Sequence, residues 1–317
     1  MKRALLIGID RYAGFNDLTG CANDVEALRP LLSRNEDDTP NFSCQIRTTA
    51  TGGVGRDRLL ADLDVMFGGG ADVALLYFAG HGVGSGSDVK LVTGDGTLQT
   101  PGIAFSEILS KAVASPVREV IVIVDCCFSG SAGGVPQLGG STASLRDGIS
   151  ILAASRGDQT AAETAVGRGL FSTFLEGALD GGAADIVGKV TIAGVYSYLD
   201  ESFGAWDQRP TFKANVDRLH ELRRCEPAVP LRELRQINQL FPRSDHEFAL
   251  DPSYEPDAEP EDLDHQATFQ ILRRYFAAKL LKPIGAEHMY DAAMKSTACQ
   301  LTPLGRHYWH MASQDRL

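Results

Sequence analysis

The chain lacks an apolar run approaching the roughly 18 residues that a membrane-spanning helix needs. Its first apolar run, Ala4–Ile9, stops at Asp10. That is too short and too abruptly polar for the core of a secretory signal, so a cytoplasmic protein without a membrane partner is expected. Cysteine is sparse: Cys21, Cys44, Cys126, Cys127, Cys225 and Cys299. Their spacing fits neither a zinc site nor a small disulfide scaffold, which leaves each a small buried hydrophobe unless a local feature says otherwise. Positive charge is also short, with 30 Lys and Arg against 41 Asp and Glu and a net charge of −11. A surface of that sign is poorly suited to a phosphate backbone and better suited to basic groups, basic peptide side chains among them.

What is present is the balance of a globular protein, 44% hydrophobic and 22% charged over 317 residues. That length holds one large domain plus a small one, or two ordinary domains. Up to about residue 217, short apolar runs alternate with helical patterns. The runs are Arg3–Ile9, Phe42–Arg47, Val73–Phe78, Val120–Val124, Ile149–Ala153 and Thr211–Ala214. Near-continuous apolar runs of that length suit strands buried on both faces. Between them, Asn23–Ser33, Arg56–Met66, Phe105–Val113, Leu170–Leu179 and Ile192–Leu199 carry apolar residues at helical spacing. Strands alternating with helices predict a mainly parallel six-stranded α/β sheet covered on both sides. The glycine-rich stretch Ser129–Gly148 breaks this pattern and reads as a long loop.

In such sheets, ligands bind outside the carboxyl ends of the strands. Val73–Phe78 runs into Ala79-Gly80-His81-Gly82, and Val120–Val124 runs into Asp125-Cys126-Cys127-Phe128-Ser129-Gly130. If these strands are neighbours, a histidine and a cysteine face one crevice. A thiolate attacks a carbonyl once its proton is removed, and a histidine near neutrality takes that proton and later returns it to the leaving amine. Gly82 lets backbone approach a substrate closely, and its N–H with that of Cys127 suits an oxyanion hole.

Those two segments resemble the paired signatures of bacterial caspase-like peptidases and metacaspases, peptidase family C14. A histidine about 50 residues before the cysteine is part of that known pattern. Ile7-Gly8-Ile9-Asp10-Arg11-Tyr12 is similar to the family's first strand, and Gly20-Cys21-Ala22-Asn23-Asp24-Val25 to the start of its first helix. Leu152-Ala153-Ala154-Ser155 through Gln159 and Glu163, with Gln208-Arg209-Pro210-Thr211-Phe212, resemble the later strands. The resemblance covers residues 1–217. It implies Cys127 as nucleophile, His81 as acid/base, and Asp24 with Asp125 lining the pocket for the residue before the cut. Two carboxylates there favour Arg or Lys through charge-assisted bonds. Protein or peptide substrates with a basic residue before the cut follow, as does hydrolysis through a thioester with no organic cofactor.

The pattern is not complete. Ala79 stands where the family often has serine, and Phe128 where it often has histidine. The family's full set of calcium-binding aspartates is not found; Asp88 and Asp95 are the candidates, and calcium dependence stays open. Relatives can be cut in the segment after the nucleophile, and Arg146 is the basic residue this loop offers for processing, by itself or by an upstream peptidase.

After residue 217 a helical connector leads to Asp251–Asp264, where seven of fourteen residues are acidic and three are proline. Residues 218–265 therefore read as connector and exposed linker. Thr268–Leu281 has an amphipathic helical pattern, and Leu301-Thr302-Pro303-Leu304-Gly305-Arg306 with Tyr308-Trp309 resembles the end of small winged-helix domains. Residues 266–317 are thus expected to form a small, mostly helical docking or regulatory module, with nucleic acid disfavoured by a weak positive charge. The resemblance implies a regulated peptidase of a bacterial stress or anti-phage response. A catalytically silent scaffold of the same fold, or a regulator binding partners or DNA through the last module, are the other classes open.

Overall fold

The computed structural model describes residues 1–85, 88–126, 128–129, 145–154, 168–203 and 210–317. Chain contacts divide it into two units, residues 1–184 with 189–225, and residues 185–188 with 226–317.

In the first unit the elements are β1 (Lys2–Gly8), α1 (Cys21–Ser33), β2 (Phe42–Thr48), α2 (Arg56–Phe67), β3 (Val73–Ala79), β4 (Gly82–Ser85), β5 (Asp88–Val92), β6 (Gly102–Ala104), α3 (Phe105–Ala114), β7 (Glu119–Asp125), β8 (Phe128–Ser129), β9 (Ile149–Ala153), α4 (Leu170–Gly177), β10 (Lys189–Val190), α5 (Ile192–Ser202), β11 (Thr211–Asn215) and β12 (Arg223–Arg224). The central sheet runs β11-β9-β7-β3-β1-β2. All neighbours are parallel except β11, which pairs antiparallel with β9. The expected mainly parallel six-stranded sheet is therefore what forms.

Side-chain alternation sorts the strands' residues onto two faces. Leu5, Ile7, Leu76, Phe78, Val122 and Val124 pack with Leu59, Leu63 and Met66 of α2 and Ile108 of α3. Leu6, Leu75, Tyr77, Ile121 and Ile123 pack with Val25 and Leu28 of α1, Leu175 of α4 and Val195 of α5. Each of these side chains is buried, and each such burial contributes about 1.5–3 kcal/mol. A smaller sheet, β6-β5-β4-β8, continues from the ends of β3 and β7.

The second unit holds α6 (Leu231–Leu234), α7 (Ile237–Leu240), β13 (Glu247–Ala249), α8 (Leu263–Ala277), β14 (Leu281–Ile284), α9 (Met289–Met294), β15 (Ala298–Leu301) and α10 (Pro303–Ser313). Its strands form an antiparallel sheet, β13-β15-β14. The core includes Val229, Leu234, Phe241, Leu250, Tyr254, Phe269 and Tyr275. This corrects the expected boundaries: residues 226–265 belong to the folded unit and are no spacer. The acidic stretch is held by its own local bonds. Asp251 accepts from Ser253 N at 2.9 Å, and Asp262 caps α8 by accepting from His265 N at 3.0 Å. Tyr254 stacks on His265 at 4.1 Å. No helix among the described residues is long and apolar enough to cross a membrane.

Candidate active site

Placement of the site begins at β1. Gly8 pairs with Ala79 at the end of β3, and a Cβ on it would lie 2.3 Å from Cys21 O, so only glycine lets α1 start there. Asp10 then caps α1, accepting from Cys21 N at 2.9 Å and Ala22 N at 3.2 Å. The helix so anchored carries Asp24 to the carboxyl edge of the sheet, beside the ends of β3 and β7.

Strand β3 pairs with β7 so that Ala79 meets Asp125. The backbone continues in register, with Gly80 N donating to Asp125 O at 3.2 Å and Gly82 of β4 pairing with Phe128 of β8. The two signature segments are therefore neighbours, which meets the condition the sequence reading had set. Cys127 lies outside the described residues. Cys126 is buried in the core beside Val124, as a packing residue would be.

His81 is fixed on three sides. Its N–H donates to Tyr12 Oη at 3.0 Å, and its carbonyl accepts from Val92 N at 2.9 Å. Its Nε2 lies 2.8 Å from Asn16 O. A carbonyl only accepts, so this bond places the ring proton on Nε2 and leaves Nδ1 as the basic nitrogen. Tyr12 donates in turn to Ile9 O at 2.7 Å, and its ring lies 4.8 Å from the imidazole. The close approach of Tyr12 requires Gly80, where a Cβ would stand 2.7 Å from the hydroxyl. Sequence reading missed Tyr12 and Asn16 as supports; the only signal was Tyr12 within the strand-like segment Ile7–Tyr12.

The two acids converge on the α1 side of the sheet. A methyl group placed on Gly169 would lie 3.3 Å from Asp125 Oδ2 and 3.5 Å from Asp24 Oδ2. Burial, with Asp24 nearby, pushes Asp125 up to about 7, opposed by a bond from Tyr77 Oη at 3.3 Å. Burial also raises Asp24, against bonds from Ser172, Arg168 and Gly169. Asp24 pairs with Arg168 at 3.0 Å, a partner the sequence did not suggest.

Other candidates fall elsewhere. Arg146 is not extended into a loop: its guanidinium donates to Ala112 O at 3.2 Å and Val117 O at 2.8 Å. Cleavage there would first have to break those bonds. Asp88 accepts from Val89 N and Ser106, and Asp95 from Arg56 N at the start of α2 and from Thr93. Among the described residues no cluster that could hold a metal includes either of them, and none is found elsewhere.

Comparison with known proteins decides the family. The model of the caspase domain, Peptidase_C14, matches residues 1–215. The chain belongs to that family, one of cysteine endopeptidases. Metacaspase-3 of Trypanosoma cruzi strain CL Brener is 27% identical over 164 residues, 46% of this chain and 45% of that protein. The match thus spans less than half of that relative's length. Caspase-1 from Spodoptera frugiperda superposes with a TM-score of 0.51 at 13% identity, over 71% of this chain and 90% of that one. At that identity the likeness shows the caspase fold. The match ends with β11 and includes only residues 185–188 of the second unit.

Proposed function

We propose that the protein is a cysteine endopeptidase that cleaves after Arg or Lys, with Cys127 as nucleophile and His81 as its acid/base. The observation that carries this reading is His81 at the carboxyl edge of the sheet, with Nε2 committed to Asn16 O and Nδ1 left basic. In this reading Nδ1 takes the thiol proton, and the thiolate attacks the peptide carbonyl. The N–H groups of Gly82 and Cys127 stabilise the oxyanion. His81 then protonates the leaving amine, and water hydrolyses the thioester. The convergence of Asp24 and Asp125 supports a basic residue before the cut.

Turnover of fluorogenic peptides ending in Arg, Lys or Asp tests this, with wild type and Cys127→Ala, with and without calcium. Cleavage after Arg or Lys that the variant loses is the expected result. Cleavage after Asp would discard the pocket assignment, and no turnover under any condition would favour a scaffold. Regulation through the second unit, processing at Arg146 and a role in a bacterial stress or anti-phage response belong to the same proposal and rest on family resemblance.

A further inference from the structure

A pocket that reads a basic side chain must offer its carboxylates to that side chain. Asp24 does not do so in this structure. Its side chain is 4% exposed, and Arg168 is already on it, Nε to Oδ1 at 3.0 Å. The arginine is 18% exposed, more than the acid it binds. Its other arm is held by Glu176 on α4. The next residue, Gly169, sits against both Asp24 and Asp125. The chain thus places its own guanidinium in the acidic cluster, in the manner expected of a bound arginine.

From this geometry we infer that Arg168 is the resting occupant of the acidic pocket, and that an incoming Arg or Lys must displace it from Asp24 before the substrate is read. The inference rests on the assignment of Asp24 and Asp125 to that pocket. Exchanging one guanidinium for another leaves the number of buried ion pairs unchanged, so desolvation does not oppose it. What opposes it is the tether, since a group held by the same chain competes at an effective concentration on the order of millimolar. Glu176, 36% exposed, holds the other arm and so helps keep the arginine seated on Asp24. Arg168 is then a specificity-determining residue: it raises the concentration of basic substrate needed while leaving the chemical step alone.

The test uses the full chain carrying Arg168→Gln, with an Arg-terminated peptide as substrate and benzamidine as a small cationic competitor. Expected is a KM about tenfold lower, a kcat within about twofold of wild type, and a benzamidine inhibition constant lowered in parallel. Arg168 as a mere structural counter-ion predicts otherwise, and an unchanged or raised KM with unchanged benzamidine inhibition overturns the inference. Should Arg168→Gln fail to fold, Glu176→Gln loosens the same arginine from the outside and is expected to lower KM two- to fivefold; no shift there also overturns it. Asp125→Asn separates this from the reading beneath it. If that change leaves Arg cleavage untouched, the pocket assignment itself falls and the occupant with it. If Asp125→Asn impairs Arg cleavage while the Arg168 and Glu176 variants do nothing, only the occupant is wrong.

Discussion

Two groups of acids in this chain are held differently. Asp251–Asp264 carries half its residues as carboxylates, yet those that make bonds do so as caps at the surface. Bonds from Ser253 hold Asp251 below its ordinary value. At the sheet edge burial raises both Asp24 and Asp125, Asp125 to about 7. The lesson is that local charge density in a sequence says little about electrostatic work. Desolvation and the nearest partner decide it.

The sharpest way to break this comparison is Asp125→Asn. It is expected to lower kcat/KM for an Arg peptide by roughly 10–100-fold, the value of one charge-assisted bond. The same change should raise or preserve the melting temperature, because the neutral amide carries no buried charge. A large loss of stability would mean that the carboxylate is structural.

Next in size is the pH dependence. A substrate cation needs the ionised form of Asp125, so kcat/KM for Arg peptides should rise with pH up to about 7, by at most about tenfold per unit. Stability should move the other way. The folded chain keeps a proton on Asp125 that the unfolded chain releases near 3.8, so this group's contribution is fully present below that value. It is lost as pH rises to about 7 and is flat beyond. Denaturation followed against pH in wild type and Asp125→Asn isolates the difference.

Tyr12→Phe sharpens the picture of how His81 is held. It removes the hydroxyl between His81 N and Ile9 O but keeps the ring against the imidazole. A fall in kcat of roughly five- to thirtyfold is expected, equivalent to about 1–2 kcal/mol of positioning, with KM little changed. The smallest effect belongs to the surface acids. Asp262→Ala should cost about 0.5–2 kcal/mol through the lost cap of α8, seen in chemical denaturation, and leave peptide turnover unchanged.

Much of the first unit was legible. Apolar runs such as Val73–Phe78 and Val120–Val124 are what a strand buried on both faces requires, and they ended in polar residues where the parallel sheet has its carboxyl edge. The histidine motif and the segment around Cys126 could be placed at strand ends on that ground, and the sheet order made those strands neighbours. The acidic stretch was misread because composition registers charge and proline but not the caps they form. Leu250 and Tyr254, the apolar residues that tie it into the second core, are too few to show periodicity.

By itself, then, the sequence determined the α/β alternation, the family, the two strand-end motifs and the identity of the acids, because each is written in contiguous residues whose pattern has one physical use. Only the tertiary structure decided which atoms meet. Asn16 comes to His81 across 65 positions and Arg168 to Asp24 across 144, and neither residue has a local pattern that marks it. Chain folding brings such residues together through packing of the elements that carry them, and burial then sets whether a carboxylate stays charged. A linear pattern encodes neither of these.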